Sequence, residues 1–282
     1  MLGEPDQWAG GHRNHAMPFC FVHWSPLRID LNADVGESFG AYAIGHDVGL
    51  MTSITSANVA AGFHAGDPSV LRSTIRLAKA HGVAVGAHPS FPDLAGFGRR
   101  DMKVSPQEAE DFVLYQIAAV AGVAGAEGIR LQHVKPHGAL FNMAMRDAAL
   151  ASAIARATAA FGRELILFAL PDSELLKAAR VEGLRGVAEA FADRAYEADG
   201  SLVSRSRPGA VIHDAAAVVE RAVRMAKDGT VAAMDGTILR FRPDTICVHS
   251  DTPGADDLAA RLRSALEAAG VTVTAIGAGV VD

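Results

Sequence analysis

Leu27-Arg28-Ile29-Asp30-Leu31-Asn32-Ala33-Asp34-Val35-Gly36-Glu37 begins as a buried strand and ends in a glycine turn flanked by carboxylates. Leu27–Leu31 reads as the apolar strand proper, and Asn32 to Glu37 as its polar ending. The same grammar returns four times, in Asn58-Val59-Ala60-Ala61-Gly62-Phe63-His64-Ala65-Gly66-Asp67, Gly86-Ala87-His88-Pro89, Lys135-Pro136-His137-Gly138 and His249-Ser250-Asp251. In a closed parallel barrel the carboxyl end of every strand opens on one face, so residues far apart in sequence meet in one pocket. Glycine and proline beside them set the turns and allow backbone to approach a ligand. The pattern points to an enzyme.

Outward from these endings, short apolar runs alternate with helical ones. Ala57–Ala61, Val83–Ala87, Leu131–Val134, Leu165–Ala169, Gly186–Phe191 and Thr245–Val248 join Leu27–Leu31 as buried parallel strands, with Val271–Ile276 an eighth strand or an edge piece. Asp67-Pro68 supplies a helix cap followed by proline. Ser105-Pro106-Gln107-Glu108 is a capping box opening a helix to Gly122 or beyond. Asp256-Asp257 precedes the last clear helix. Repeated βα units with short connections predict a barrel of seven or eight strands, with an open doubly wound sheet as the alternative.

At 282 residues and 50% hydrophobic, the chain can bury one large core. Residues 27–282 read as a single barrel domain; residues 1–26 read as an irregular extension, with His12, His15 and His23 outside the chemistry and Trp24 as a plug on the barrel floor. Net charge is −6 without a basic stripe, which argues against nucleic acid as a partner. Cys20 and Cys247 have no metal spacing and form no framework, which fits a reducing cytoplasm. No apolar run reads as a membrane span. Local phosphate-loop, dinucleotide, HExxH, CxxC and GxSxG motifs are missing, so any site must be assembled from scattered strand ends.

Taken with Gly96-Phe97-Gly98-Arg99-Arg100, Val134 to Asn142, Glu189-Ala190-Phe191-Ala192-Asp193-Arg194-Ala195-Tyr196 and Cys247 to Pro253, these endings resemble the LamB/YcsF family over roughly Arg28 to Thr274. The resemblance implies an α/β fold, a seven-stranded irregular (β/α) TIM-like barrel of the glycoside hydrolase/deacetylase type. It implies the A subunit of ATP-dependent 5-oxoprolinase, a hydrolase that opens the lactam of 5-oxo-L-proline to L-glutamate, with ATP and its magnesium as cosubstrate and subunits B and C as partners. The family usually carries Cys at the position of Ala61 and Gly at that of Ser250, which argues against an essential covalent cysteine here.

Lactam hydrolysis needs a polarised or phosphorylated carbonyl oxygen and a deprotonated water. Asp34 or Asp67 is the expected base, with His64, His88 and His249 as proton carriers or metal ligands. Glu37, Asn58, Arg99, Arg100, Lys135, His137, Glu189, Asp193 and Asp251 are the expected substrate- and phosphate-binding groups, the cations balancing phosphate or carboxylate. Lys135 and His137 flank Pro136 and are expected to point in different directions, with Lys135 inward; His133 is expected to be buried and hydrogen-bonded. Asp34, His64 and His88, with His249 as a fourth, also offer oxygen and nitrogen ligands to zinc or manganese. A bound transition metal is nevertheless the less favoured expectation. A stand-alone metal-dependent amide hydrolase resembling carbohydrate deacetylases, and a non-catalytic subunit that presents 5-oxoproline, are the two alternatives. The stretch Asp199 to Pro208, with Arg205 and Arg207, reads as a lid or docking loop.

Overall fold

Along β1 (Arg28–Val35) every residue after the first is buried, whether apolar or not. Ile29, Leu31, Ala33 and Val35 belong to the main apolar core, while Asp30, Asn32 and Asp34 between them make polar contacts with other strands. The period of two sends one set out toward the helices and the other into the barrel. The computed structural model describes residues 27–248 and 254–277. Expectations for residues 1–26, Trp24 and its neighbouring histidines included, and for His249, Ser250 and Asp251 lie outside the described residues.

The remaining strands are β2 (Ser56–Ala60), β3 (Ala84–His88), β4 (Leu131–Val134), β5 (Ile166–Ala169), β6 (Arg185–Phe191), β7 (Thr230–Ala232), β8 (Ile238–Arg240), β9 (Thr245–Val248) and β10 (Thr272–Val273). β1 to β6 pair in parallel in chain order, β6 pairs with β9, and β9 returns to β1, closing a ring of seven. Among the described residues β10 pairs only with the start of β1, at Arg28 and Ile29, and is the edge piece rather than an eighth stave. β7 and β8 form a separate antiparallel hairpin. Helices α1 (Asp47–Met51), α2 (Pro68–His81), α3 (Pro106–Ala126), α4 (Gly138–Ala144), α5 (Ala148–Phe161), α6 (Glu174–Val181), α7 (Ala215–Asp228) and α8 (Ala255–Ala268) accompany these strands.

Local chemistry explains the helix starts. Asp67 accepts from the Ser69 and Val70 amides ahead of Pro68, and Ser105 with Glu108 completes the reciprocal capping box of α3. Asp256 and Asp257 lie inside the first turn of α8, behind a Gly254 cap, rather than before it. α3 corrects one reading of the sequence: its 21 residues are long and apolar enough to cross a membrane. Here it packs against α5 and α2 and buries Gln116, whose side-chain amide clamps the Ser90 backbone after β3 through both its oxygen and its nitrogen.

The barrel interior is polar, so its groups must satisfy one another. Near the amino ends, Asp30 accepts from Thr55, Ser56 and Thr245; burial pushes its carboxyl pKa up, against those hydrogen bonds. One layer higher, Asn32 donates to Glu189 and Thr245. Asn58 donates to both Asn32 and Asp34. His133 is buried as expected: its Nε2 lies 2.8 Å from Asn58 Oδ1 and its ring stacks on Phe168. Gly86 makes room for that ring, since a Cβ there would sit 2.1 Å from it.

Candidate active site

The third polar layer forms the site. Asp34, next to last in β1, is joined through its Oδ1 to Lys135 Nζ at 2.9 Å and Asn58 Nδ2 at 2.9 Å. Lys135, just past β4, also lies 3.0 Å from Glu189 Oε1 and donates to the Cys247 sulfur. Burial opposes the lysine's charge, but Asp34, Cys247 and Glu189 outweigh it and hold its pKa well above the usual ammonium value. Burial raises the Glu189 carboxyl and the Cys247 thiol in turn. Cys247 is the member of this cluster that sequence reasoning misses. Its signal is positional: it falls two residues before His249, on the inward face of a strand.

Beside this cluster stand three histidines and a glutamate. His88 Nε2 is 3.4 Å from Asp34 Oδ1 and 2.9 Å from His137 Nδ1. His64, in the loop after β2, stacks on His137 with ring centroids 3.9 Å apart, and its Nε2 lies 3.5 Å from Glu37 Oε1. Glu37, His64, His88 and His137 each offer one ligand atom within 4.8 Å of the others, and all four are buried. Burial lowers the His64 pKa to about 3, partly countered by Asp34, and lowers that of His137 well below the imidazole range. Both rings are therefore neutral near pH 7.

His137 departs from expectation. Instead of diverging from Lys135 it joins it, because backbone φ of −100° and ψ of 149° keep the chain extended through it. Residues two apart in extended chain share a face, so both side chains reach the interior. The Gly96–Arg99 loop closes over the pair: Phe97 turns left-handed at φ 55°, and its carbonyl accepts from His137 Nε2. Gly98 is required there, because a Cβ would lie 2.2 Å from Ser90 Oγ and 2.8 Å from His64 Cβ at φ +65°.

These groups open onto a cavity of about 710 Å³. Asp34, His88, Lys135 and His137 line it directly. Six cationic residues (Arg99, Lys135, Arg146, Arg194, Arg205, Arg207) face three carboxylates (Asp34, Asp101, Glu197) around it, so the pocket favours an anion. Arg205 and Arg207 come from the loop read as a lid. Arg194 is braced by the Val203 and Ala210 carbonyls.

Other expected site residues take supporting places. Asn58 is an interior strut holding Asp34, and Glu189 lies behind Lys135. Asp67 spends both oxygens on amides, those of Ser69, Val70 and Gly40, and is absent from the cavity lining. Arg100 turns away from the cavity to pair with Asp93, while Arg99 lines it. Asp193 is buried outside the lining, and its carbonyl receives the Ile212 amide. Ala61 is half-buried against the apolar core.

A family model described as "LamB/YcsF family" matches residues 29–280. This chain belongs to the LamB/YcsF family. A protein of Chloroflexus aggregans, named as the A subunit of 5-oxoprolinase, is 57% identical over 247 residues, covering 88% of this chain and 98% of that protein. One of the same name from Thermococcus onnurineus is 53% identical over 251 residues, covering 89% and 98%. The crystal structure of a lactam utilization protein from Thermus thermophilus superposes with a TM-score of 0.83 at 52% identity, covering 88% of this chain and 99% of that one. The matched span contains the layer of Asp34, His88 and Lys135.

Proposed function

We propose that this LamB/YcsF chain is the lactam-opening subunit of an ATP-dependent 5-oxoprolinase that works with partner subunits B and C. The observation that carries the reading is the buried Asp34–Lys135–His88 cluster at the end of an anion-favouring pocket, in a chain whose relatives are named for the A subunit of that enzyme. The substrate is one carboxylate on a five-membered lactam, small enough for the cavity.

An amide carbon is a weak electrophile. Transfer of the ATP γ-phosphoryl group to the lactam oxygen makes that carbon reactive. Water then adds to it, with Asp34 taking the proton. The C–N bond breaks, the nitrogen receives that proton, and the resulting acyl phosphate is hydrolysed by a second water to glutamate and phosphate. Lys135 holds negative charge as it develops on oxygen. Arg99 and the arginines of the 199–208 loop hold carboxylate or phosphate.

Mixing the chain with 5-oxoproline and ATP, with and without subunits B and C, tests the reading. Glutamate formed only in the full mixture, with Asp34→Asn lowering kcat by about 10² to 10⁴ at saturating substrate, is the expected result. Turnover by the chain alone without ATP would instead identify a stand-alone amide hydrolase. Unchanged kcat in Asp34→Asn would identify a presenting subunit.

A further inference from the structure

We infer that His64, His88 and His137, with the Glu37 carboxylate, form a binding site for one divalent transition-metal ion of the zinc or cobalt kind. His88 Nδ1 lies 2.7 Å from the Lys135 carbonyl oxygen, and His137 Nε2 lies 2.9 Å from the Phe97 carbonyl oxygen. A carbonyl has no proton to give, so each of those ring nitrogens carries the N–H. In a neutral imidazole the other nitrogen is then a bare lone pair.

Those two other nitrogens, His88 Nε2 and His137 Nδ1, face each other at 2.9 Å. Two lone pairs at that separation repel, and a cation between them turns the repulsion into binding. His64 supplies an independent sign. It has zero exposure, and among the described residues neither of its ring nitrogens has a hydrogen-bond partner. A buried polar atom left in that state calls for an explanation, and a bound ion is one. All three rings border one point that Glu37 also reaches, its Oε1 lying 3.5 Å from His64 Nε2 and 3.8 Å from His137 Nδ1.

The donor chemistry is selective. Three imidazoles and one carboxylate suit zinc, cobalt or manganese, whereas calcium and magnesium take oxygen ligands. Backbone carbonyls that receive the outer N–H of two rings are the usual device for fixing a metal-binding tautomer. Asp34, expected from the sequence to ligate with His64 and His88, is instead tied to Lys135 and Asn58 and stands beside the site. Glu37 and His137 take its place. Gly98 and the Phe97 carbonyl make the overlying loop part of the site.

The competing account is one proton shared between His88 and His137. Chelator-stripped full-length chain titrated with Zn²⁺ and Co²⁺ separates the two. One ion per chain by calorimetry, a raised unfolding midpoint and a visible Co²⁺ absorption typical of nitrogen and oxygen ligands are the expected results. His88→Gln and His137→Gln should each weaken uptake by more than about 100-fold, while the exposed His213→Ala leaves it unchanged. Wild-type chain that takes up neither ion, or uptake that survives both histidine variants, overturns the inference. Circular dichroism verifies that each variant is folded; if either is not, the stoichiometry and the Co²⁺ spectrum of the wild type decide alone. Because ion uptake is read without substrate, failure of lactam opening leaves this result standing.

Discussion

Lys135 Nζ lies 2.9 Å from Asp34 Oδ1, and both side chains are almost wholly withdrawn from water. Such a pair gives little net stability over an apolar pair of the same shape, but removing one member leaves a buried charge uncompensated. Lys135→Met strands Asp34 next to Glu189, a second acid 3.0 Å from the missing ammonium. The variant should be less stable by about 3–5 kcal/mol in urea unfolding. A loss under about 1 kcal/mol would mean that the pair is less buried, or less charged, than its surroundings require.

Gly98 and Gly40 form a matched pair for testing the loop over the histidines. Both have positive φ, +65° and +55°, but an added Cβ at Gly40 meets nothing within 4 Å. Gly40→Ala should therefore show only the left-handed backbone cost, about 1–2 kcal/mol. Gly98→Ala adds contact with Ser90, His64 and His137 and should lose about 1–3 kcal/mol more. It should also displace the Phe97 carbonyl from His137, lowering turnover in the reconstituted enzyme. Equal thermal losses for the two variants would show that the loop does not press on the rings.

Much of this is readable without the fold, and the failures have physical causes. The seven staves read as apolar runs because parallel strands are buried on both faces. Sequence alone cuts β1 short at Leu31 because Asn32 and Asp34 look like a loop ending; they are inward positions of a strand that continues to Val35. The β7–β8 hairpin escapes notice because its strands are three residues each and half exposed. Asp235-Gly236 marks its turn, a recognised hairpin signal. Strand ends name Asp34, His64, His88 and Lys135 as candidates, but do not say which touch. The swap of Asp34 for Glu37 and His137 around the imidazoles depends on Asn58 and Lys135 holding Asp34, a three-strand relation with no trace in local spacing.

Glu127 provides a test of acid stability remote from the pocket. It accepts from Arg72 at 2.5 Å and Arg76 at 3.0 Å, joining the end of α3 to α2. Hydrogen bonds from Arg76 and Arg72 lower its carboxyl pKa from 4.5 to about 2. A depressed folded pKa means stability that is present above the unfolded value and is lost as pH falls through the folded one. Unfolding midpoints of wild type and Glu127→Gln should therefore differ by a constant amount above pH 4.5 and converge toward pH 2. The gap should shrink in high salt, since the arginines are exposed. A gap independent of pH would refute the assignment.

Asp67 and Asp34 are both candidates for the base on sequence grounds, and a single kind of substitution tells them apart. Asp67 holds the amino end of α2 and the Gly40 amide through hydrogen bonds to its oxygens. Asparagine keeps one acceptor oxygen and is itself a favoured cap, so the helix start survives Asp67→Asn with little loss of stability. It removes the ability to take a proton at neutral pH. Asp67→Asn should therefore keep kcat within about threefold in the reconstituted enzyme, against the about 10²-fold or greater fall expected for Asp34→Asn. The unfolding midpoint should drop by only a few degrees. If Asp67→Asn abolished turnover while remaining folded, proton transfer would have to be reassigned to the start of α2, away from the Asp34–Lys135 pair.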